Sequence, residues 1–135
     1  MLDLKGPRKR LAEGVRRTIE PYLTARRFTV CARWWRLLEP FAGTSVRRIH
    51  SIGNARQLRA VLRRYANRRL DGISIHERLA DKENVAALGE IADVIMAWPV
   101  NEPERARALL RLGVVGLITD RAAAMSRVLA LEPTS

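Results

Sequence analysis

The chain has 135 residues, which is enough for one domain with a buried core. Its hydrophobic content of 47% is that of an ordinary globular protein and excludes wholesale disorder. No apolar run approaches the ~18 residues that a membrane span needs. The N-terminus lacks the apolar stretch of a secretory signal. The single Cys31 cannot form an internal disulfide. We therefore expect a soluble cytoplasmic protein, although a segment upstream of Met1 could still carry a signal.

The net charge of +11 is concentrated in the first half of the chain. Residues 1–69 carry 18 Lys or Arg and only 4 Asp or Glu, whereas residues 70–135 carry 7 and 10. Such a basic half could attract nucleic acid, anionic lipid or a phosphorylated substrate, or it could simply decorate solvated helix faces. We favour solvated faces and predict no nucleic-acid partner, because the few aromatic residues give no stacking platform for single strands.

Six short apolar runs predict six strands in chain order, at residues 2–5, 28–31, 46–50, 72–76, 94–98 and 115–119. The segments between them predict helices at residues 8–25, 34–41, 55–65 and 82–90, with further helices starting at Pro103 and near Arg121. Pro21 is expected to kink or end the first helix. These units form one domain over residues 1–131, and residues 132–135 are a predicted frayed tail.

Regular alternation of strand and helix favours a parallel sheet with helices outside it. A doubly wound sheet and a TIM-type barrel both fit this pattern. No dinucleotide fingerprint follows the first strand, where Gly6 and Pro7 stand instead of a glycine-rich turn. A complete barrel needs eight units, and the sequence predicts six.

The segment from Val94 to Arg121 carries the most specific pattern, a strand, a short helix and a second apolar strand. Asn101 is a predicted N-cap whose side chain accepts from the amide of Glu104. Gly113 is expected to end the helix in a conformation with positive φ.

This segment resembles the last two β/α units of the glycerophosphodiester phosphodiesterase family. The resemblance rests on a Trp-x-Val-Asn strand end, an acidic-Pro-acidic helix start, a Leu-Gly-Val word and the run Gly-Leu-Ile-Thr-Asp-Arg, in that order. Asp3-Leu4-Lys5 fits the acidic-x-Lys motif that ends the family's third strand. The resemblance implies an incomplete TIM (β/α)8-type barrel made of barrel strands 3–8, with the first two units missing. It also implies a complete domain that hydrolyses glycerophosphodiesters to glycerol 3-phosphate and an alcohol.

In that family the first two units carry a His-Arg-Gly motif, a second histidine and an acidic pair for a divalent metal, Ca²⁺ or Mg²⁺. None of these motifs is present here. We therefore expect a truncated or decayed chain that is inactive alone and does not hold the metal tightly. The alternative is a non-catalytic remnant that dimerises, or pairs with a complementing fragment, through open sheet edges.

The active site of a β/α barrel lies at the carboxyl ends of its strands, where several polar side chains are predicted to meet. The resemblance gives Asp3 a metal-ligand role and Lys5 a contact to the phosphate and the transition state. The predicted substrate-binding residues are Lys5, Arg33, His50, His76 and Trp98. Asp120 is expected to cap the last helix rather than bind metal, and Cys31 is expected to be a buried structural thiol. The predicted substrate is a glycerophosphodiester or another lipid-derived phosphodiester.

Overall fold

The fold comes from a computed structural model that describes residues 1–130, so the predicted tail at 132–135 lies outside the described residues. All six predicted strands are present within this range, with ends that differ by a few residues from those expected. The strands are β1 Leu2–Leu4, β2 Thr29–Ala32, β3 Arg47–Ile52, β4 Gly72–His76, β5 Ile95–Trp98 and β6 Gly116–Leu117.

The helices follow the strands in the predicted order. They are α1 Lys9–Ile19, α2 Ala55–Arg64, α3 Lys82–Gly89, α4 Pro103–Arg111 and α5 Ala122–Ala130. Pro21 stands in a short 3-10 turn, Glu20–Tyr22, directly after α1. The segment predicted as a helix at 34–41 is a 3-10 helix, Trp35–Phe41, with Pro40 inside it. A proline has no N–H to donate and crowds the preceding turn, so a regular α-helix is disfavoured there.

The strands form one parallel sheet in the order β1-β2-β3-β4-β5-β6. This order excludes a doubly wound sheet, because such a sheet reverses direction at a switch point. The sheet curls into a half-barrel with helices on its outer side. The prediction of an incomplete TIM-type barrel is therefore confirmed.

Two hydrophobic clusters hold the helices on the outer face of the sheet. The larger packs α2, α3 and α4 on β3, β4 and β5, with Leu88 and Leu109 fully buried. The smaller packs α1 and the 3-10 helix Trp35–Phe41 on β1 and β2, with Phe41 fully buried. The helices therefore fix the strands from outside and leave the inner face for other side chains.

The spacing of Leu11, Val15 and Ile19 predicts that all three face the sheet from α1. Ile19 is buried and Val15 is partly buried, but Leu11 is 43% exposed. The fully buried position is Ala12, one residue further along. Leu11 is turned toward the free edge of β1, where no described element covers it.

The described helices are all too short or too polar to cross a membrane. Gly113, which was expected to end α4 with positive φ, does so at φ 99°.

Candidate functional site

A cavity of about 450 Å³ lies at the carboxyl ends of the strands. Its lining comes from both edges of the sheet, because the curl brings the end of β1 close to the chain that follows β6. We call this cavity the strand-end pocket; its polar and aromatic lining consists of Asp3, Lys5, Cys31, Arg33, Trp34, Ser51, Ser74, Trp98, Thr119 and Asp120. The structure thus brings together five of the predicted residues, Asp3, Lys5, Arg33, Trp98 and Asp120.

Asp3 and Lys5 form an ion pair on one wall of the strand-end pocket. The Lys5 side chain is 80% exposed and that of Asp3 is 47% exposed. An ion pair this exposed holds its partners only weakly, since water screens both charges. The Lys5 ammonium can therefore turn from Asp3 to an incoming anion at little cost.

Arg33 and Trp98 form a second wall. The Arg33 Cζ atom lies 5.0 Å from the centre of the Trp98 ring, within the range of a cation–π contact. Trp98 Nε1 donates to the Ser74 carbonyl oxygen at 3.2 Å, which fixes the ring against the next strand. The two side chains present a positive group beside a flat apolar surface.

His76 lies beside Trp98, on the neighbouring strand β4. Its ring meets the Trp98 ring edge-on at 4.9 Å, and its Nδ1 accepts from the Arg78 backbone N–H at 3.3 Å. His76 is not among the residues that line the strand-end pocket. The structure therefore gives it a supporting contact to Trp98.

His50 is on the opposite side of the sheet. β3 runs on to Ile52, so His50 is inside the strand rather than at its end. Its ring packs between Trp35 and Tyr65, with centroid distances of 5.8 Å and 5.1 Å. The structure does not bring His50 into the strand-end pocket.

Burial in this packing strongly affects the ionisation of His50. Desolvation, followed by the charge of Arg48, lowers the pKa of His50 from 6.5 to about 4. Its Nδ1 is buried and has no hydrogen-bond partner among residues 1–130. The ring is therefore neutral at physiological pH.

Two serines take the inward positions on the central strands, and the sequence reasoning missed both. Ser51 and Ser74 are buried, and both line the strand-end pocket. The Ser74 hydroxyl has no partner within the described part of the chain. Strict two-residue alternation along β3 and β4 could have identified them, because Ile52, Ile73 and Ile75 face the helices.

Cys31 is buried at the base of the pocket, as expected. Burial, together with the negative charge of Asp3, raises the pKa of Cys31 to about 12. The thiol stays protonated at neutral pH, so the nucleophilic thiolate is scarce.

Asn101 does not cap α4, and this prediction was wrong. The cap residue of α4 is Glu102, without a side-chain hydrogen bond. The Asn101 Oδ1 atom instead accepts from the Thr119 hydroxyl at 2.9 Å and from the Asp120 N–H at 3.0 Å. The Val100 N–H donates to the Ile118 carbonyl at 2.9 Å, so the chain after β5 stays alongside the chain after β6 and holds Asn101 next to Thr119.

Asp120 is oriented by the same contact. Its Oδ2 atom accepts from Asn101 Nδ2 at 3.3 Å. The N–H of Arg121, just ahead of α5, is satisfied by the Thr119 hydroxyl at 2.9 Å rather than by Asp120. The Asp120 carboxylate therefore faces Asn101 at the rim of the strand-end pocket instead of capping the helix as expected.

The pocket does not offer a complete set of metal ligands. Its carboxylates are Asp3 and Asp120, and Asp3 is already paired with Lys5. Residues 1–130 contain no group of three or more His, Cys, Asp or Glu side chains that could hold a metal ion. Hard cations such as Ca²⁺ and Mg²⁺ require more oxygen ligands than these, so the residues present do not fit a tightly held ion.

The sequential parallel sheet, with its polar pocket at the carboxyl ends, defines an incomplete barrel of the TIM type. Comparison with solved structures identifies a partial-length glycerophosphodiester phosphodiesterase-like fold. A provisionally assigned glycerophosphoryl diester phosphodiesterase from Silicibacter pomeroyi matches 96% of this chain and 49% of its own, with 21% identity and a TM-score of 0.77. The comparison confirms the fold that the sequence resemblance predicted.

Two further structures give the same result. The glycerophosphodiester phosphodiesterase of Thermotoga maritima matches 93% of this chain and 55% of its own, with 20% identity and a TM-score of 0.71. A third structure is an Oleispira antarctica phosphodiesterase, solved with the product sn-glycerol-3-phosphate. The match covers 96% of this chain and 54% of that one, with 17% identity and a TM-score of 0.71. The chain thus spans about half the length of these structures. Comparisons with protein-family models and with curated proteins find no match.

Proposed function

We propose that this chain forms the phosphate-binding half of a glycerophosphodiester phosphodiesterase active site. The convergence of Lys5, Arg33 and Trp98 on one pocket carries the proposal. Lys5 and Arg33 neutralise the charge of a phosphodiester, and the Trp98 ring gives an apolar wall for the glycerol carbons. The glycerol 3-phosphate bound by the Oleispira antarctica phosphodiesterase supports this ligand class.

Glycerol 3-phosphate binding tests the proposal directly. We expect the wild-type chain to bind it in a calorimetric titration, and the Lys5→Gln/Arg33→Gln double variant to bind at least about tenfold more weakly, because two charged contacts are lost. Arg59→Gln in α2 is the control, since Arg59 is exposed and does not line the pocket. Equal affinity in wild type and the double variant would contradict the proposal.

The second part of the proposal is that the chain alone does not hydrolyse phosphodiesters. A phosphodiesterase mechanism of this kind needs a proton-transfer group within reach of the reacting oxygen. The chain has two histidines: His50 faces the helices, and His76 packs edge-on against Trp98 and is not among the residues that line the pocket. A complete domain would add the histidines, and a divalent-metal site in which Asp3 is one ligand.

Hydrolysis of glycerophosphocholine, with and without Ca²⁺ or Mg²⁺, tests this second part. We expect no release of glycerol 3-phosphate above the protein-free blank under any of these conditions. Clear metal-dependent turnover by the purified chain would show that the proton-transfer argument is mistaken.

A second candidate function is association through the free edge of the sheet. Leu2 and Leu11 are 40% and 43% exposed. They line an apolar depression together with Val15, Ile19 and Phe28. β1 pairs only with β2 among the described strands, so its outer backbone groups are open to another strand. A second copy of the chain is the occupant that we propose for this edge.

Sedimentation equilibrium tests the association. We expect wild type to form dimers that dissociate on dilution, and Leu11→Glu to shift the equilibrium toward monomer, because a buried carboxylate opposes apolar contact. Ala66→Glu is the control for charge, since Ala66 is exposed and does not line the depression. A wild-type chain that stays monomeric at high concentration would remove this candidate.

A further inference from the structure

A second cavity, of about 550 Å³, lies beside the strand-end pocket, between the start of the 3-10 helix Trp35–Phe41 and α2. We call it the arginine groove. Its lining includes Arg33, Trp34, Arg36, Arg56, Gln57 and Arg64. Four guanidinium groups line this one concave surface, and no Asp or Glu does.

The charges of the arginine groove are not neutralised by the protein. Elsewhere, arginines such as Arg48 and Arg69 pair with the carboxylates of Asp71 and Asp93. Within the described part of the chain, none of the four groove arginines pairs with a carboxylate. Exposed arginines on other surfaces also lack such partners, but these four converge on a cavity. Gathered like charges repel, and a bound anion would relieve that repulsion.

Aromatic and backbone contacts hold Arg36 and Arg64 in position. The Arg36 Nη2 atom donates to the Pro7 carbonyl at 2.8 Å, and its Cζ lies 5.7 Å from the Trp34 ring centre. The Arg64 Cζ lies 5.6 Å from the centre of the Tyr65 ring. Such contacts orient a guanidinium without neutralising it. The remaining N–H groups keep the forked geometry that suits phosphate oxygens.

The arginine groove is continuous with the strand-end pocket. Arg33 and Trp34 line both cavities. Arg33 lies at the junction of the two cavities. Its Cζ is 5.0 Å from the Trp98 ring centre, and its guanidinium also borders Gly53, in the connection between β3 and α2. A phosphodiester held at Arg33 can therefore direct its glycerol part toward Trp98 and its alcohol part into the groove.

We propose that the arginine groove receives the alcohol part of the phosphodiester, and that this part carries at least one additional phosphate. This inference rests on the proposed function and specifies its substrate class. A single-stranded nucleic acid fits the groove less well. Trp34 is its one strongly exposed aromatic ring among the described residues, and single strands are bound by successive stacking surfaces.

Calorimetric titration at fixed ionic strength tests the proposal with two matched soluble probes, glycerophosphoinositol and glycerophosphoinositol 4,5-bisphosphate. We expect wild type to bind the bisphosphate at least about tenfold more tightly, and Arg56→Gln/Arg64→Gln to abolish that preference. Arg59→Gln/Arg63→Gln is the matched control, because it removes the same charge from the same helix outside the groove. This control is expected to keep the preference. The bisphosphate should also compete with glycerol 3-phosphate.

Three results would overturn the inference: no preference for the bisphosphate, an equal loss in the control variant, or tighter binding of an octathymidylate that depends on Arg56 and Arg64. The affinity for glycerol 3-phosphate distinguishes a failure of this inference from a failure of the proposed function. If it does not bind, the proposed function fails. If it binds with unchanged affinity in the groove variant while the bisphosphate has no advantage, only the groove inference fails.

Discussion

Replacing Phe41 by alanine is expected to lower the free energy of unfolding by about 3–5 kcal/mol. The Phe41 side chain is fully buried where the 3-10 helix Trp35–Phe41 meets α1 and β2. Truncation removes a large apolar group and leaves a cavity that this rigid layer cannot close. The loss is large against the total stability of about 5–15 kcal/mol that is typical of a domain.

Urea denaturation followed by circular dichroism measures this effect. Tyr22→Ala is the aromatic control, since Tyr22 is 55% exposed and its loss is expected to change stability by no more than about 0.5 kcal/mol. Phe41→Leu retains most of the buried volume, so its loss of unfolding free energy should lie between those of Phe41→Ala and Tyr22→Ala, and the protein should remain folded. A change of less than 1 kcal/mol on Phe41→Ala would mean that the smaller core cluster does not hold α1 on the sheet.

Acidification is expected to destabilise the chain by about 3 kcal/mol between pH 6.5 and pH 4 through His50 alone. The folded chain holds the pKa of His50 at about 4, against 6.5 for the ordinary side chain, chiefly because of burial. Between these values the unfolded chain binds a proton that the folded chain excludes, so stability falls as pH falls. Above pH 6.5 neither state is protonated, and below pH 4 both are, so the change is confined to this window.

His50→Phe isolates this contribution. The phenyl ring can keep the packing against Trp35 and Tyr65, and it removes both the titration and the buried Nδ1 that has no described partner. Urea unfolding at pH 7 and pH 4 should give a stability difference that is smaller in the variant by about 3 kcal/mol. The carboxylates that also titrate in this range contribute to both proteins and cancel in the comparison. An identical pH dependence in the two proteins would show that His50 is not held neutral by burial.

The sequence predicted the fold through its strand and helix order and through the family resemblance. Six apolar runs separated by helical segments predict a parallel sheet and leave its strand order open. The family resemblance predicts the sequential order of a barrel, in which the strand ends lie together. For this reason Asp3, Lys5, Arg33 and Trp98 were expected at one site, and all four line the strand-end pocket. Lys5 and Arg33 follow a strand, Trp98 ends one, and Asp3 lies in the short β1. Their positions therefore depend on topology rather than on detailed packing.

The errors arise where a single residue of register matters. The predicted third strand ended at His50, whereas β3 continues to Ile52. Side chains alternate between the two faces of a strand, and Ser51 faces the pocket, so its neighbour His50 faces the helices. Asn101 was assigned to the nearest helix start, but its partners Thr119 and Asp120 are 18 and 19 positions away in sequence. A local pattern cannot reveal a long-range hydrogen bond of this kind.

The arginine groove could not be found from the sequence either. Its arginines come from two separate segments of the basic half, which also carries many arginines on other surfaces. Only the packing of α2 beside the 3-10 helix Trp35–Phe41 distinguishes the groove arginines from the arginines on other surfaces. The net charge left an anionic partner open as the less favoured alternative to solvated helix faces, and it did not indicate which surface would bind such a partner.

The central claim is that the two edges of the half-barrel form one phosphate-binding pocket. Titration of the chain with glycerol 3-phosphate, followed by the indole N–H signals of its three tryptophans, tests this claim most directly. Trp98 lines the pocket, whereas the Trp35 indole donates to the Ser51 carbonyl at 2.9 Å on the helix side of the sheet. We predict that the Trp98 signal shifts progressively until the pocket is saturated with glycerol 3-phosphate, while the Trp35 signal stays in place. Equal shifts of both signals, or no shift of Trp98, would contradict the account.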